Sequence, residues 1–278
     1  MTGRARAGVP GLVALDIDGT ILDHDEKLTD RVRAAVQAVA RAGSHVVLAT
    51  GRSLNGTVPV LDRLGLRDGW TVCSNGTVTL RLDPELEHGY EVVRTVTFDP
   101  APALRLLREH LPTALYAVED DQGRYRLTAP FPEGELAGDQ VSLVPFPELL
   151  QGPASRVIVR SPEHTPEDFL EVVESIALHG VNYAVGWTAW LDLAPDGVSK
   201  ATALEEVRRT LGVDPSDTLA VGDGRNDLEM LGWAARSVAM GQAVPEVLAA
   251  ADEVTAPVTE DGLALILEAL VRTGPDPD

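Results

Sequence analysis

Two short stretches, far apart in the chain, place carboxylates at the ends of apolar runs. One is "LVALDIDGT", with Asp16 and Asp18; the other is "TLAVGDGRND", with Asp223 and Asp227. Two carboxylates about 4 Å apart repel by about 4 kcal/mol at an effective dielectric of about 20. Brought together they form a set of hard oxygen donors, the kind Mg²⁺ takes along with waters and substrate phosphate. Two further groups suit an anion: Thr50, Gly51 and Arg52 in "HVVLATGR", and Lys200 in "GVSK". No His or Cys lies within these motifs. Only two of the 23 basic residues are lysine, Lys27 and Lys200, so the lysine at 200 stands out against an arginine-rich background.

Each cluster taken singly also reads as a solvated turn. A Ca²⁺ loop starting at Asp16 fails, because Ile21 and Lys27 stand where the EF-hand pattern needs Gly and Glu. "VGDGRND" fails as a dinucleotide fingerprint, because Asp227 stands in place of its third glycine. What gives the four groups meaning is their joint placement. In an open parallel sheet, ligands bind beyond the carboxyl ends of the strands.

The elements needed for that placement are legible. "LVALDIDG", "HVVLATGR", "WTVCSNGT", "TLAVGDGR", "SVAMGQA" and "EVTAP" are apolar runs ending in turn residues, as strands covered on both faces do. Helical periodicity separates most of them. Val32, Val36 and Val39 repeat behind Thr29 as N-cap; Ala203, Leu204, Val207 and Leu211 repeat after Lys200; "DGLALILEALVRTG" closes the series. Strands alternating with helices imply βαβ units and a parallel sheet. From residue 81 to about 187 the pattern changes. "YEVVRTVTF" and "LYAVEDDQGRYRLTA" alternate in the antiparallel manner, with "DDQG" as a hairpin turn, and two helices intervene. The expectation is an α/β protein. Its Rossmann-like parallel-sheet core comprises 1–80 and 188–278, with an inserted α+β domain over 81–187.

Length and composition fit this picture. The 278 residues suffice for one large domain or two modest ones. A net charge of −20 argues against nucleic acid and anionic membranes as partners, though not against a small anion held by local charge. Cys73 stands alone, which excludes an intramolecular disulfide and suits a buried small hydrophobe. The N-terminal "MTGRARAGVPG" is basic but leads into no signal-peptide core, and no apolar run reaches membrane-spanning length. The chain reads as cytoplasmic, as a monomer or homodimer, with a frayed tail in "TGPDPD".

The motifs in order resemble the haloacid dehalogenase-like superfamily of phosphohydrolases. "DIDGTIL", "LATGRS", "SNGT", "GVSKATAL", "GDGRNDLEML" and "MGQA" carry the likeness, which is nearest to Cof-like members with a type IIB cap. It spans about 11–80 and 188–270; the inserted region resembles a cap by position and pattern alone. The resemblance implies a fold, a chemistry and roles. Asp16 would be the nucleophile forming an aspartyl-phosphate, and Asp18 the acid and then base, its backbone carbonyl also on the metal. Asp16, Asp18, Asp223 and Asp227 would form the Mg²⁺ site, with Asp227 direct or through water. Thr50 and the following N–H, with Gly19, Gly51 and Arg52, would line the phosphate. Asn226 would orient the site, and Lys200 would neutralise phosphate and Asp16. A phosphate dianion among three ionised carboxylates makes five negative charges, and Lys200 returns one. The charges themselves therefore ask for a divalent cation.

The implied reaction is Mg²⁺-dependent hydrolysis of a small phosphorylated metabolite, most plainly a sugar phosphate. The alternatives are a phosphosugar mutase-type phosphotransferase and a non-catalytic binding protein. Some residues carry two readings. Arg52 either contacts substrate or pairs with an acid. Asn75 and Gly76 either border the site or only turn the chain. Trp187 and Trp190 either pack the hinge or line the pocket. Asp23 and Asp25 read as loop residues, and the six histidines show no ligand spacing.

Overall fold

The computed structural model describes residues 8–272 except 134–135, 137–139, 177 and 187. The basic N-terminal segment, Trp187 and the terminal "TGPDPD" therefore lie outside the described residues or extend beyond them.

The first half of the larger sheet follows the chain in order. Strand β1 (Leu12–Leu15), helix α1 (Asp30–Arg41), β2 (His45–Ala49), α2 (Leu54–Leu64), β3 (Gly69–Cys73), β4 (Val78–Leu82) and β5 (Tyr90–Thr95) succeed one another. The chain then leaves for a second sheet. Its elements are α3 (Ala101–His110), β6 (Leu115–Glu119), β7 (Tyr125–Leu127), β8 (Val141–Leu143), α4 (Phe146–Leu149), β9 (Arg156–Arg160), α5 (Pro166–Ser175), β10 (Val181–Val185) and β11 (Trp190–Pro195). It returns through α6 (Lys200–Leu211), β12 (Thr218–Gly222), α7 (Leu228–Trp233), β13 (Arg236–Ala239), α8 (Pro245–Ala250), β14 (Glu253–Val254) and α9 (Gly262–Arg272).

The large sheet has the order β14-β13-β12-β1-β2-β3-β4-β5 and is parallel from β14 to β3. Strand β1 has β2 on one side and β12 on the other, so the order reverses there. A crevice at the carboxyl ends of β1 and β12 is the expected ligand position in such a sheet. Alternation along β1 divides the core. Val13 and Leu15 pack with α1 and α9, while Leu12 and Ala14 pack with α6 and α7. All four residues are buried, as a strand covered on both faces requires.

Strands β4 and β5 continue the large sheet antiparallel, by β3–β4 and β4–β5 pairing. Tyr90–Thr95 is thus the last strand of the core sheet, not the start of the insertion, and the boundary expected at residue 80 moves past it. At the far end Trp190–Pro195 pairs with β9 and β10 in the second sheet, so the return expected at residue 188 falls later too. An antiparallel strand beside a connection carries no local mark of which sheet it joins.

The second sheet has the order β10-β11-β9-β6-β7-β8. One face holds Tyr116, Val118, Val157, Val159, Leu191 and Leu193 against α3 and α5. Alternate residues on the other face include Ala117, Tyr125, Leu127 and Ile158, with Trp190 packed beside them. This second face looks toward the carboxyl ends of β1 and β12 across a cavity.

Candidate active site

Parallel pairing delivers the acids. Leu15 lies opposite Val221 in the β1–β12 register, and the Asp16 N–H donates to the Val221 carbonyl at 3.0 Å. Asp16 therefore leaves β1 level with Gly222, one residue before Asp223 leaves the adjacent strand. Asp227 arrives from the one-turn 3₁₀ helix after β12, and its Oδ2 accepts from the Asp223 and Gly224 N–H groups, both at 2.9 Å. One oxygen from each of Asp16, Asp223 and Asp227 falls within a 4.8 Å group, and all three residues are buried.

Lys200 is the counter-charge. Its Nζ donates to Asp16 Oδ1 and to Asp227 Oδ1, each at 2.6 Å, and the residue is 1% exposed. Helix α6 begins at Lys200 because Ser199 caps it: Ser199 Oγ accepts from the Thr202 N–H, and Thr202 Oγ1 accepts from the Ser199 N–H. That start is docked on the turn after β3. Gly76 there has φ +104, and a Cβ on it would stand 2.2 Å from the Ser199 carbonyl oxygen. Glycine is required at this position both for its left-handed backbone and for the close approach.

The electrostatics follow from burial and crowding. Burial pushes the Asp16 carboxyl well up, and Asp227 and Asp223 push the same way while Lys200 opposes them. Burial and Asp227 push Asp223 up to about 7, against Gln242 and Lys200. Burial by itself would lower the Lys200 ammonium; Asp16 and Asp227 hold it above its ordinary value. Three crowded carboxylates with one ammonium are short of positive charge. They are all hard oxygen donors, and a divalent cation such as Mg²⁺ fits that donor set.

The other candidates fall in two groups. Thr50, buried at the end of β2, accepts from the Arg52 N–H through Oγ1 at 3.0 Å, which leaves its own proton to donate. Gly19 offers its carbonyl to Gln242 Nε2 at 2.6 Å, and a Cβ on it would lie 2.0 Å from Asp223 Oδ2. Gly51 and Arg52 line the same cavity as Asp16 and Asp18. Asn226 Nδ2 donates to Asn75 Oδ1 at 3.0 Å, tying the β12 loop to the β3 turn. Asp18 stands apart from the metal trio: its side chain is half exposed, and Arg52 forks onto both of its oxygens at 2.6–3.2 Å. Arg52 also reaches Glu26 at 2.9 Å. Asp23 Oδ1 accepts from the Asp25 and Lys27 N–H groups, a loop role. Cys73 is buried and its thiol is pushed up to about 12 by that burial.

Sequence reasoning missed Gln242. Its Nε2 also donates to Asp223 Oδ2 at 3.1 Å, while Oε1 accepts from the Val258 N–H at 2.9 Å. The motif "MGQA" was visible, but a single amide declares no chemistry until the fold brings it to the acids.

Residues 13–267 match the family model of haloacid dehalogenase-like hydrolases. The chain belongs to that family. A protein of Streptococcus pyogenes serotype M6, provisionally named a phosphatase, is 31% identical over 91% of this chain and 95% of its own length. A phosphoglycolate phosphatase of Natronomonas pharaonis is 30% identical over 94% of this chain and 96% of its own. A solved subclass IIB sugar phosphatase of the superfamily shares the fold, with TM-score 0.76 at 24% identity, covering 93% of this chain and 98% of that one. As a haloacid dehalogenase-like hydrolase with these relatives, the chain is a phosphatase. No helix among the described residues is long and apolar enough to cross a membrane.

Proposed function

We propose that the protein is a metal-dependent phosphohydrolase that cleaves small phosphate monoesters, sugar phosphates foremost, through an aspartyl-phosphate on Asp16. The observation that carries this is the Lys200 clamp. Lys200 holds Asp16 by Oδ1 alone, and no other described residue bonds the Asp16 carboxylate, so Oδ2 is left for attack on phosphorus. Asp16 also lines the cavity, so a bound phosphate can reach it.

Each residue then has a task. Asp16 attacks phosphorus and the ester oxygen leaves. Asp18 gives that oxygen a proton and later takes one from the water that cleaves the aspartyl-phosphate. To do so its carboxyl must release Arg52, which holds both of its oxygens. The Thr50 hydroxyl and the Gly51 N–H that follows it donate to phosphoryl oxygens, where negative charge accumulates. Lys200 neutralises Asp16 and incoming phosphate. Asp16, Asp223 and Asp227 would hold Mg²⁺, with the Asp18 carbonyl as a further ligand and Gln242 fixing Asp223. Mg²⁺ supplies Lewis-acid neutralisation of the phosphoryl oxygens. The second domain closes over the site, excludes water and selects the substrate. The net charge of −20 and the size of the cavity, about 930 Å³, suit a small metabolite rather than nucleic acid. The subclass IIB sugar phosphatase supports a sugar phosphate by likeness of fold.

Phosphate release with Mg²⁺ over a panel of sugar phosphates, phosphoglycolate and nucleotides tests the reading. Asp16→Asn keeps the side chain's shape and removes the nucleophile, so turnover is expected to vanish while the melting transition persists. Release at the wild-type rate by this variant overturns the mechanism.

A further inference from the structure

The wall of the cavity opposite Asp16 holds an ion pair, its arginine buried and its aspartate half-buried, that the chemistry above does not use. Arg156 on β9 and Asp192 on β11 project from the face of the second sheet that looks toward the core, and both line the cavity. Arg156 Nε donates to Asp192 Oδ1 at 2.6 Å. The Arg156 residue is 6% exposed. Its two Nη groups find no acceptor among the described residues, and neither does Asp192 Oδ2 find a donor. Among the described side chains only Thr71 Oγ1 is sealed from solvent without a partner, so the unused Nη donors and Asp192 Oδ2 open on the cavity, where a ligand can reach them. Carboxylate and guanidinium together present acceptor and donor side by side.

Their charges narrow the ligand. Arg156 faces Asp192 and also Glu119, which lies opposite it in the β6–β9 register. One cation among two carboxylates does not make an anion site. A hydroxyl, which donates and accepts at once, matches the pair on both counts. Tyr125 and Trp190 beside it supply the apolar faces that a carbon skeleton needs.

We infer that Arg156 and Asp192 form the specificity pair of the site, reading a hydroxyl on an uncharged leaving group and disfavouring a substrate with a second anionic group. The inference rests on the phosphohydrolase reading and adds the substrate's other end to it. A pocket built to hydrogen-bond a hydroxyl rejects an analogue lacking it far more strongly than an apolar pocket rejects a missing methylene.

The test compares kcat/KM for glucose 6-phosphate, phenyl phosphate and phosphoglycolate, in the full chain with Mg²⁺. Wild type is expected to prefer glucose 6-phosphate. Removing both charges at once, in Arg156→Gln/Asp192→Asn, avoids leaving either one buried alone. In that variant the ratio of glucose 6-phosphate to phenyl phosphate is expected to fall about tenfold or more, chiefly through KM. Asp192→Asn alone leaves Glu119 as the one carboxylate facing the guanidinium and is expected to raise phosphoglycolate relative to glucose 6-phosphate. A double variant that loses equally on all three substrates, or a wild type that prefers phosphoglycolate, overturns the inference. Failure of the phosphohydrolase reading looks different: wild type releases phosphate from none of the three. Calorimetric titration with glucose 6-phosphate then decides the pair. Binding that weakens about tenfold in the double variant supports it, and equal or absent binding to wild type overturns it.

Discussion

Lys200 is the residue on which the site turns. A buried ammonium shared by Asp16 and Asp227 offsets two carboxylates that would otherwise face each other without relief. Removing one member of a buried ion cluster typically costs about 3–5 kcal/mol, because a charge is left uncompensated. Lys200→Met is therefore expected to lower the unfolding free energy by about that amount in urea denaturation. Added Mg²⁺ is expected to recover part of it by taking over the neutralisation. Asp223 sets a pH limit on the same site. Its carboxyl, pushed up to about 7, holds a proton below that pH, and a protonated carboxyl is a poor metal ligand. Mg²⁺ affinity measured by calorimetry is expected to fall as pH drops below about 7, and the fall is expected to flatten in Asp223→Asn. Much of this was readable from residue types: four acids at two strand ends and one rare lysine. Gln242 and the Arg52–Asp18 fork were not, since both depend on which loops meet.

At the scale of elements, the proposed chemistry depends on where helix α6 starts. The turn Ser74–Gly76 carries three successive residues with positive φ and receives the Ser199 carbonyl. Gly76→Ala forces a Cβ into that carbonyl and strains the backbone, at about 1–3 kcal/mol for the φ alone. The helix start must retreat, and Lys200 with it. Phosphate release is expected to drop more than tenfold while the far-UV spectrum stays that of the folded protein. Ser199→Ala tests the same start from its other side. Loss of the N-cap is expected to cost about 0.5–2 kcal/mol in urea denaturation. Parallel strands and their helices were legible because apolar runs and helical periods are local. The sheet boundary was not. Strand β5 joins the core sheet by pairing with β4, and β11 joins the second sheet by pairing with β9, and pairing is decided by partners distant in sequence. The face of the second sheet was half legible. "RVIVR" and "WLDLA" alternate, which separates Arg156 and Asp192 from the core-packed residues, but nothing local says that they face one cavity.

For the whole molecule, Glu119 is a contact that joins the two sheets beside the site. It is buried on the second sheet, where its Oε2 accepts from Tyr125 OH at 3.0 Å and from Ser74 Oγ of the core at 3.3 Å. Ser74 belongs to the turn that docks helix α6, so this one carboxyl joins the cap to the element that positions Lys200. Burial raises its pKa, against the pull of Arg156 and the two hydroxyls. The folded protein therefore holds this proton more tightly than the unfolded chain does. The group's contribution to stability is complete below its ordinary value of 4.5 and is lost as pH rises through the raised folded value. Glu119→Gln keeps a carbonyl acceptor for both hydroxyls and does not titrate. With Mg²⁺ saturating, so that Asp16 and Asp223 are held in one state, thermal melts of both proteins from about pH 4 to about pH 8 isolate the term. The variant is expected to gain on wild type as pH rises above 4.5, the two curves diverging through the titration and running parallel beyond it. Curves that stay parallel throughout would mean that Glu119 has the same proton affinity folded and unfolded, and that the contact between cap and core is not made through a desolvated carboxyl.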